Sequence, residues 1–374
     1  MSLENKAKSV IVLGGGIIGV SSAVHLLRRG VNVTLITDAA LASGASGRSL
    51  SWLNSAADRT KEYHAIRMAG IDRYRTLFAQ DPSREWLRFD GGLYWGKDKQ
   101  QETKARYAYE SSHGYASQLV GPEEISKIDP EVNADAVTES ALFNAGEGWV
   151  SLPHLINFLL VEFHKLGGKL VEHAGKSSVL TDASGKAIGV RTNNSESFSA
   201  DAVLVACGPQ TPDVVAPLGV TIPNDSPLSM LVITQPVEKN IKVVMNTPRV
   251  ALRPNPGKSL ALDHDWYESS ISLDDKGEYT IPEAVVNELV EEAAKVLAGD
   301  KGLKAASWKI GLKPIPGDGN PVLGELKTVP NCFVAFTHSG ATLGLIVGEL
   351  LASEIASGEK HPMLETFRPE RFSA

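Results

Sequence analysis

The sequence predicts a two-domain α/β protein, one domain built on a parallel sheet and the other rich in short, mainly antiparallel strands. The chain has 374 residues, and chains of this length usually form more than a single hydrophobic core, so two domains are expected. Residues 8–38 read as strand, glycine turn, helix and strand, which is the pattern of a parallel βαβ unit. Short β-rich runs broken by prolines fill Ser226–Leu273, and they indicate the strands of the second domain.

The glycine turn reads GGGIIG, and Gly14, Gly16 and Gly19 have the spacing G-x-G-x-x-G. It lies between an apolar strand, Val10–Leu13, and a helix over Val20–Arg29. In that context the first glycine permits a tight turn, the second lets a pyrophosphate reach the main chain, and the third lets helix and strand pack closely. Backbone N–H groups at the helix start hold the phosphate charge. The pattern predicts a Rossmann-like dinucleotide site; the alternative is a glycine-rich turn without a ligand.

A polar residue after the second strand, Val31–Ile36, is expected to bind the adenosine ribose. Dinucleotide-binding folds place this residue roughly 20 positions beyond the glycines. Thr37 falls near that position and Asp38 is one residue later, so we predict Asp38 with Thr37 as the alternative. No arginine follows to suit a 2′-phosphate, which disfavours NADP.

Composition excludes several classes of protein. The net charge is −7 and the pI is about 5.8, and basic residues do not form the stripe that a nucleic-acid surface would need. The two cysteines, Cys207 and Cys332, lie in apolar runs and are expected to be buried thiols without a disulfide. The sequence shows no metal-ligand spacing, no apolar signal core at its start and no apolar stretch of the ~20 residues that span a bilayer. We therefore expect a cytoplasmic protein with no membrane span and no nucleic-acid partner.

Three later segments have the character of ligand-binding loops. Residues 39–54 are small, polar and glycine-bearing, and such a loop can present backbone amides to a ligand. A buried strand, AVLVA, ends in Cys207 and Gly208, at the point where open α/β sheets bind ligands. Another apolar strand, NCFVAFT, leads through His338 into a long helix whose first residues, Ser339–Thr342, offer backbone N–H donors.

Several separated motifs occur together in this chain. They are the glycine turn GGGIIG, GASGRS at Gly44–Ser49, VLVACG at Val203–Gly208, GLKPxxxDxxPVLG at Gly311–Gly324, and THSGATLG at Thr337–Gly344. Together they resemble the D-amino-acid oxidase family of flavoenzymes, which includes glycine oxidase, sarcosine oxidase and the D-amino-acid dehydrogenases. The resemblance extends from Val10 to the RPERF sequence at 368–372, and it is specific for the family without selecting a substrate.

The resemblance implies FAD, bound by a Rossmann-like domain that is assembled from discontinuous segments. These would be residues 1–80, 145–217 and 306–374, with a mainly antiparallel β substrate domain formed by the inserted residues 81–144 and 218–305. In the family a loop like GASGRS passes near the flavin, and the last helix points its N-terminus at the flavin pyrimidine ring. A helix N-terminus carries about half a positive charge, which suits the anionic reduced ring. The alternative for this helix is an ordinary capped helix without a ligand.

The residues expected to contact FAD combine the glycine turn, the ribose position, the flavin-side loop and the start of the last helix. They are Gly14, Gly16, Ile17, Ile18, Gly19, Thr37, Asp38, Ser43, Ser46, Gly47, Arg48, Ser49, Cys207, Gly208, Gly311, Ser339, Gly340, Ala341 and Thr342. Sarcosine oxidases link FAD to a cysteine shortly before the D-x-x-P segment, where this chain has Ile310–Lys313 without a cysteine. We therefore predict non-covalent FAD.

The implied reaction is oxidation of a C–N bond in a small amino acid or secondary amine, with hydride transfer to the flavin. A substrate carboxylate would need a cation, and the candidates are Arg48, Arg253 and Lys313. Glycine oxidase relatives have arginine where Lys313 stands and another in the loop that matches His338 and its neighbours, so this chain departs from their pattern. His338 is a candidate for orienting the substrate or contacting the flavin. For each cation, the alternative is an ordinary ion pair.

Two other functions stay open at this point. The same hydride geometry would serve a 2-hydroxy-acid dehydrogenase, and the missing arginines allow a non-catalytic flavin-binding assembly protein. The electron acceptor is oxygen or an unknown acceptor. Oxidases of the sarcosine type place a lysine over the flavin, whereas the strand Ser259–Asp263 offers leucine and alanine, which favours a dehydrogenase.

Overall fold

The structure, a computed structural model, describes residues 8–96, 101–137, 139–299 and 302–372. The chain folds as two compact units. Unit 1 contains the described residues of 1–47, 152–227 and 312–374, and unit 2 contains those of 48–151 and 228–311.

The strands, numbered along the chain, are β1 (Ser9–Leu13), β2 (Asn32–Ile36), β3 (Trp52–Leu53), β4 (Leu87–Arg88), β5 (Gly92–Tyr94), β6 (Gln118–Val120), β7 (Ala141–Asn144), β8 (Gly148–Val150), β9 (Lys169–Val171), β10 (Ser178–Thr181), β11 (Ala187–Arg191), β12 (Ser197–Ser199), β13 (Ala202–Val205), β14 (Leu228–Thr234), β15 (Val244–Asn246), β16 (Ala251–Asn255), β17 (Ser259–Asp263), β18 (Ser272–Leu273), β19 (Tyr279–Thr280), β20 (Ala305–Leu312), β21 (Val322–Leu326) and β22 (Val329–Phe336). The α-helices are α1 (Ile17–Arg28), α2 (Lys61–Gln80), α3 (Gln101–Ser112), α4 (Pro122–Ile128), α5 (Leu152–Lys165), α6 (Thr211–Val215), α7 (Glu283–Lys295) and α8 (Gly340–Ser357).

Unit 1 is built around a six-stranded sheet in the order β21-β22-β13-β1-β2-β9. Strands β1, β2, β9, β13 and β22 run parallel, and β21 pairs antiparallel with β22 at one edge. From β9 to β22 this is the 3-2-1-4-5 order of a doubly wound dinucleotide-binding sheet. The apolar sequences VIVL in β1 and AVLV in β13 are fully buried, as expected for parallel strands covered on both faces.

Two helices of unit 1, α1 and α8, pack along each other. A Cβ on Gly348 would lie 2.3 Å from Ser21 Oγ, so the glycine lets α8 approach α1 this closely. In the described part of the chain, α8 is the one helix that is long and apolar enough to cross a membrane, and 67% of it is buried. Burial against the neighbouring helix and strands is typical of the core helix of a folded domain, which passes the same test of length and composition.

Unit 2 contains an eight-stranded sheet in the order β20-β14-β17-β16-β15-β5-β7-β6. The β14/β17, β16/β17, β15/β16, β5/β7 and β6/β7 pairs are antiparallel, and the β15/β5 pair is parallel. Helix α7 contacts β17, and its apolar face joins the sheet in one core with Val232, Leu252, Leu262, Val286 and Leu289. A smaller sheet, β3-β8-β4, completes the unit. The predicted fold class, mixed α/β with a mainly antiparallel second sheet, is confirmed.

The boundaries of the two units differ from the predicted segments, most of all at residues 48–80, which the prediction assigns to the nucleotide-binding part and which belong to unit 2. Residues 145–151 and 306–311 also belong to unit 2, and residues 218–227 belong to unit 1. Residues 48–80 join unit 2 because β3 pairs with β8, placing Trp52 opposite Trp149, and because α2 contacts β4. Pairings between positions so far apart leave no local pattern in the sequence. Which unit binds FAD and which binds substrate stays a prediction.

Candidate functional site

The predicted cofactor segments of unit 1 meet at one edge of its sheet. Parallel strands end on the same side, and β1, β2, β13 and β22 are neighbours or near neighbours in this sheet. The glycine turn follows β1, Thr37 and Asp38 follow β2, Cys207 follows β13, and Ser339 follows β22. The carboxyl edge of an open α/β sheet, near the point where strand order reverses, is where such folds bind ligands.

The glycine turn is packed too tightly to accept side chains. Gly14 has a φ of +117°, and a Cβ on it would lie 2.2 Å from the carbonyl oxygen of Ala206. A Cβ on Gly19 would lie 2.0 Å from the carbonyl oxygen of Gly14. At Gly16 the nearest atom to a Cβ would be Ser46 Oγ at 3.2 Å. The first and third glycines therefore close the turn, and the second leaves its main chain open to a ligand.

The N-terminus of α1 has a glycine as its N-cap residue and receives one side-chain acceptor from the loop after β2. Its N-cap residue is Gly16, which has no side-chain cap, and its first turn carries no acidic residue. The Ile17 N–H donates to Ser46 Oγ at 3.0 Å. The next two N–H groups, of Ile18 and Gly19, have no acceptor within an α-helix at these positions. Such a helix start suits a diphosphate, so the residues present fit FAD.

The N-terminus of α8 lies beside that of α1. A Cβ on Gly340 would be 4.0 Å from Ile18 Cδ1, and both helices begin after parallel strands of one sheet. The N-cap residue of α8 is Ser339, without a side-chain cap, and its first turn is also free of acidic residues. Two neighbouring positive helix ends repel each other, and an anionic ligand relieves this repulsion. Ala341 and Thr342 complete the first turn of α8.

The two candidates for ribose binding occupy different environments. Thr37 is buried, and its Oγ1 would be 2.7 Å from a Cβ on Gly15. Asp38 is exposed, and its Oδ1 accepts a hydrogen bond from the Ala39 N–H at 2.9 Å. The pKa of the Cys207 thiol is raised mainly by burial and secondly by the negative charge of Asp38. The Asp38 carboxylate therefore lies near the end of β13. This exposed carboxylate at the carboxyl edge supports Asp38 as the ribose residue.

The segment after β13 offers a ligand its backbone and no reactive side chain at Cys207. The Cys207 thiol donates to the carbonyl oxygen of Leu13 at 3.6 Å, and burial raises its pKa to about 12, so it stays protonated at neutral pH. Gly208 follows with a φ of +57° at the start of a 3₁₀ turn. In the loop that is predicted to pass near the flavin, Ser43 is exposed and its N–H donates to the carbonyl oxygen of Ala40 at 3.2 Å.

The loop forms a compact turn that contains Ser46 and Gly47. The Gly47 N–H donates to the carbonyl oxygen of Gly44 at 3.0 Å. A Cβ on Gly47 would lie 2.2 Å from the carbonyl oxygen of Ala42, so glycine is needed there. The remaining predicted loop residues, Arg48 and Ser49, belong to unit 2.

In unit 2 the guanidinium of Arg48 packs flat against Gly311. A Cβ on Gly311 would lie 2.4 Å from Arg48 Cζ and 2.5 Å from both Nε and Nη2. Gly311 therefore contacts Arg48, and partial burial lowers the pKa of that guanidinium. Ser49 Oγ accepts from the Ser51 N–H at 3.1 Å, and Ser51 has a φ of +55°. Arg48 thus lies three residues before a non-glycine residue in the left-handed region, a conformation that costs energy.

Arg253 is buried and makes three hydrogen bonds within the chain. It is 2% exposed, its Nε donates to the Leu50 carbonyl oxygen, and its Nη1 donates to Pro254 O at 2.8 Å and to Asn255 Oδ1 at 2.9 Å. Its Cζ lies 5.0 Å from the ring centre of Trp149, and burial lowers its pKa to about 9. These contacts favour a role in holding residue 50 over the predicted role of binding a substrate carboxylate.

The two candidates from unit 1 are less confined. Lys313 is half-buried, and its backbone N–H donates to Pro227 O at 2.8 Å. His338 is exposed between the buried residues Thr337 and Ser339, and the Ser339 N–H donates to Thr337 Oγ1 at 3.1 Å. This short-range bond sets the backbone that presents the His338 ring.

Sequence reasoning missed a buried polar cluster in unit 2. Glu147 is 2% exposed and accepts hydrogen bonds from Trp52 Nε1 at 2.7 Å and from the Tyr115 hydroxyl at 2.5 Å. Arg67, 3% exposed, donates to the carbonyl oxygen of Asn54. The available signal was one acid in the otherwise small and apolar stretch NAGEGWVS, which gives no partner.

This geometry defines a dinucleotide-binding oxidoreductase fold, and comparison with known proteins identifies the family. The model of the DAO family, FAD dependent oxidoreductases, matches residues 9–354, so the chain belongs to this family and uses FAD. Membership does not favour the alternative of a non-catalytic flavin-binding protein.

The chain is similar to other proteins over nearly its whole length, at low sequence identity. Glycine oxidase of Bacillus licheniformis is 22% identical, covering 99% of both chains. An uncharacterized oxidoreductase, YurR, of Bacillus subtilis (strain 168) is 23% identical, covering 97% of this chain and 98% of the relative. The crystal structure of L-proline dehydrogenase from P. horikoshii superposes with a TM-score of 0.79 at 20% identity, covering 98% of each chain.

Proposed function

We propose that this protein oxidises the C–N bond of an amino acid or a secondary amine. The observation that carries the proposal is the pair of neighbouring helix N-termini, α1 and α8, at the carboxyl edge of a sheet that belongs to an FAD-dependent family. Relatives named for such substrates, glycine oxidase and L-proline dehydrogenase, support this class of reaction.

When bound, FAD supplies the hydride acceptor, flavin N5. The substrate carbon loses hydride while the nitrogen electron pair forms the C=N bond, and the nitrogen then loses a proton. Water hydrolyses the imine to a carbonyl product and a released amine. The chain's own residues bind and orient the substrate, and they need little acid–base chemistry for this step.

Arg48 is proposed to bind the substrate carboxylate. Its guanidinium is held flat against Gly311, so less side-chain entropy is lost on binding, and a planar fork suits a carboxylate. Lys313 is proposed as a second cation and His338 as an orienting group, both in the unit that carries the glycine turn. Arg253 is proposed to position residue 50 because its Nε donates to the Leu50 carbonyl oxygen and its Nη1 donates to its own strand.

We propose that the FAD is not covalently linked. Burial raises the pKa values of both cysteines to about 12, and Cys332 is completely buried in β22, so neither thiol is suited to attack a flavin. Flavin that stays on the protein after acid precipitation would contradict this. A cytoplasmic location and an electron acceptor other than oxygen also remain proposals.

Rapid anaerobic mixing tests the proposed reaction. Flavin absorbance should bleach with at least one member of a panel of glycine, sarcosine, proline and N-methylated amines, and should not bleach with 2-hydroxy acids. Bleaching by hydroxy acids alone would overturn the C–N proposal. Arg48→Met should raise KM for amines that carry a carboxylate and leave KM for amines without one unchanged, and Arg249→Met, at an exposed salt bridge, is the matched control.

A further inference from the structure

The segment of residues 48–54, here called the Arg48 segment, is anchored by buried arginines. The carbonyl oxygen of Leu50 accepts from Arg253 Nε, and that of Asn54 accepts from Arg67 Nε at 2.9 Å. Both arginines are almost completely buried. Moving either carbonyl oxygen away would cost a buried guanidinium a hydrogen bond and would destabilise the folded protein. The two pairs therefore fix the backbone on either side of residue 52.

Between these anchors, a carboxyl group holds an indole. Trp52 Nε1 donates to Glu147 Oε2 at 2.7 Å, and the Tyr115 hydroxyl donates to Glu147 Oε1 at 2.5 Å. The same Tyr115 oxygen accepts from the Ser55 N–H at 2.9 Å. The carboxyl group fits because residue 92 is glycine, where a Cβ would lie 2.2 Å from Oε2 and 3.0 Å from the indole nitrogen.

This arrangement depends on the charge of Glu147. An ionised carboxylate accepts from both the indole and the phenol, whereas a proton on the carboxyl group conflicts with one of these donors, with the indole N–H if it is on Oε2 and with the Tyr115 hydroxyl if it is on Oε1. Burial raises the pKa of Glu147 to about 7, although its hydrogen bond with Tyr115 and the charge of Arg106 lower it. The ionisable groups around this pair are Arg106 and Glu110 of α3, Arg67, Arg75 and His64 of α2, and Tyr115, whose ring packs edge-on against the His64 ring with centres 5.7 Å apart.

We propose that Glu147 is a positioning residue for the Arg48 segment: its ionised carboxylate holds the Trp52 indole and thereby the backbone that leads to Arg48. Substrate binding therefore tightens as this carboxyl ionises. The inference rests on the proposed role of Arg48 in binding a substrate carboxylate. The bond between Glu147 and Trp52 can nevertheless be tested without any substrate.

The first experiment follows the indole by NMR in FAD-loaded protein with ¹⁵N-labelled tryptophan. The chain has six tryptophans, and the signal lost in Trp52→Phe identifies Trp52. We expect its N–H signal to shift with a midpoint near pH 7 in the native protein and to stay constant in Glu147→Gln. The matched control is Glu102→Gln, which removes the charge from another glutamate of unit 2 that accepts from a tyrosine, Tyr94 at 2.7 Å, and should leave the shift unchanged. A Trp52 signal that does not move between about pH 5 and 9 overturns the proposal.

The second experiment separates positioning from a purely structural role. KM for a carboxylate-bearing amine should fall about tenfold as pH rises through 7 in the native protein, relative to Glu147→Gln, while kcat changes less than about twofold. An amine without a carboxylate should show no such difference. Equal KM profiles for both proteins overturn the positioning role. If the native protein oxidises no amine, the proposed function fails, and the indole signal still decides whether Glu147 holds Trp52.

Discussion

Gly19 lies so close to Gly14 that a Cβ on Gly19 would be 2.0 Å from the Gly14 carbonyl oxygen. Gly19→Ala must therefore push α1 away from the turn, because that oxygen belongs to the backbone and cannot rotate aside. We expect FAD affinity to fall by at least about 100-fold, since about 3 kcal/mol of overpacking strain is typical of such sites. FAD titration by fluorescence measures it. Gly121→Ala, where a Cβ meets nothing closer than 3.8 Å, should keep normal affinity, and a normal affinity of Gly19→Ala would contradict the fit of FAD to this turn.

Arg253→Lys should destabilise unit 2 by about 2–4 kcal/mol. A lysine ammonium cannot reproduce the fork that reaches both the Leu50 carbonyl oxygen and Asn255 Oδ1, so buried acceptors lose their donors. Urea unfolding measures the change. Arg249→Lys is the matched control, because Arg249 also lies over a tryptophan ring but is 40% exposed, and its loss should cost less than about 1 kcal/mol. An equal loss of unfolding free energy in the two variants would show that the buried contacts of Arg253 contribute no additional stability.

Arg368→Met should destabilise unit 1 by about 3–5 kcal/mol. The guanidinium of Arg368 binds Glu354 with two hydrogen bonds, of 2.8 and 2.6 Å, and both side chains are buried, so the substitution leaves a buried carboxylate without its cation. Adding Glu354→Gln should recover part of the loss because it removes that charge. Arg28→Met breaks a bond pair of the same geometry that is exposed, and it should cost less than about 1 kcal/mol in the same thermal or urea unfolding. A double substitution no more stable than Arg368→Met would contradict this account.

The stability of the protein should fall relative to Glu147→Gln between about pH 4.5 and 7. Burial raises the pKa of Glu147 from 4.5 to about 7, so the folded protein binds this proton more tightly than the unfolded chain. The resulting stability is fully present below the unfolded pKa and is lost as pH rises through the folded pKa, with a total of about 3 kcal/mol. Urea unfolding of both proteins at the two ends of this range measures the difference. An unfolding free energy that changes equally with pH in both proteins would show that folding does not raise the pKa of Glu147.

Local patterns predicted most elements because their causes are local. Apolar residues in Thr60–Gln80 have helical spacing, and this stretch contains α2, Lys61–Gln80, which Thr60 caps by accepting from the Tyr63 N–H at 3.2 Å. Pro282–Ala298 has the pattern of an acidic amphipathic helix, and it contains α7, Glu283–Lys295, whose buried residues follow the helical period. The glycine turn was equally readable, because its spacing reflects close backbone contacts within a few residues.

The long-range contacts of unit 2 could not be predicted in the same way. Trp52 and Glu147 are 95 positions apart, and their hydrogen bond depends on the pairing of β3 with β8. The prediction that Arg253 binds a substrate carboxylate stays untested, and the structure adds that its Nε and Nη1 donate to residue 50 and to its own strand. An arginine in a sequence does not reveal which acceptors the fold will bring to it.

The sequence by itself determined the βαβ unit that starts the parallel sheet, since the strand, glycine turn and helix are encoded by neighbouring residues. It also determined the family, because several different motifs of that family occur together along the chain. The tertiary structure alone decided that residues 48–80 join unit 2 and that Glu147 is buried against Trp52. Burial and partner choice depend on which distant strands pair, and that is settled by the packing of the whole chain.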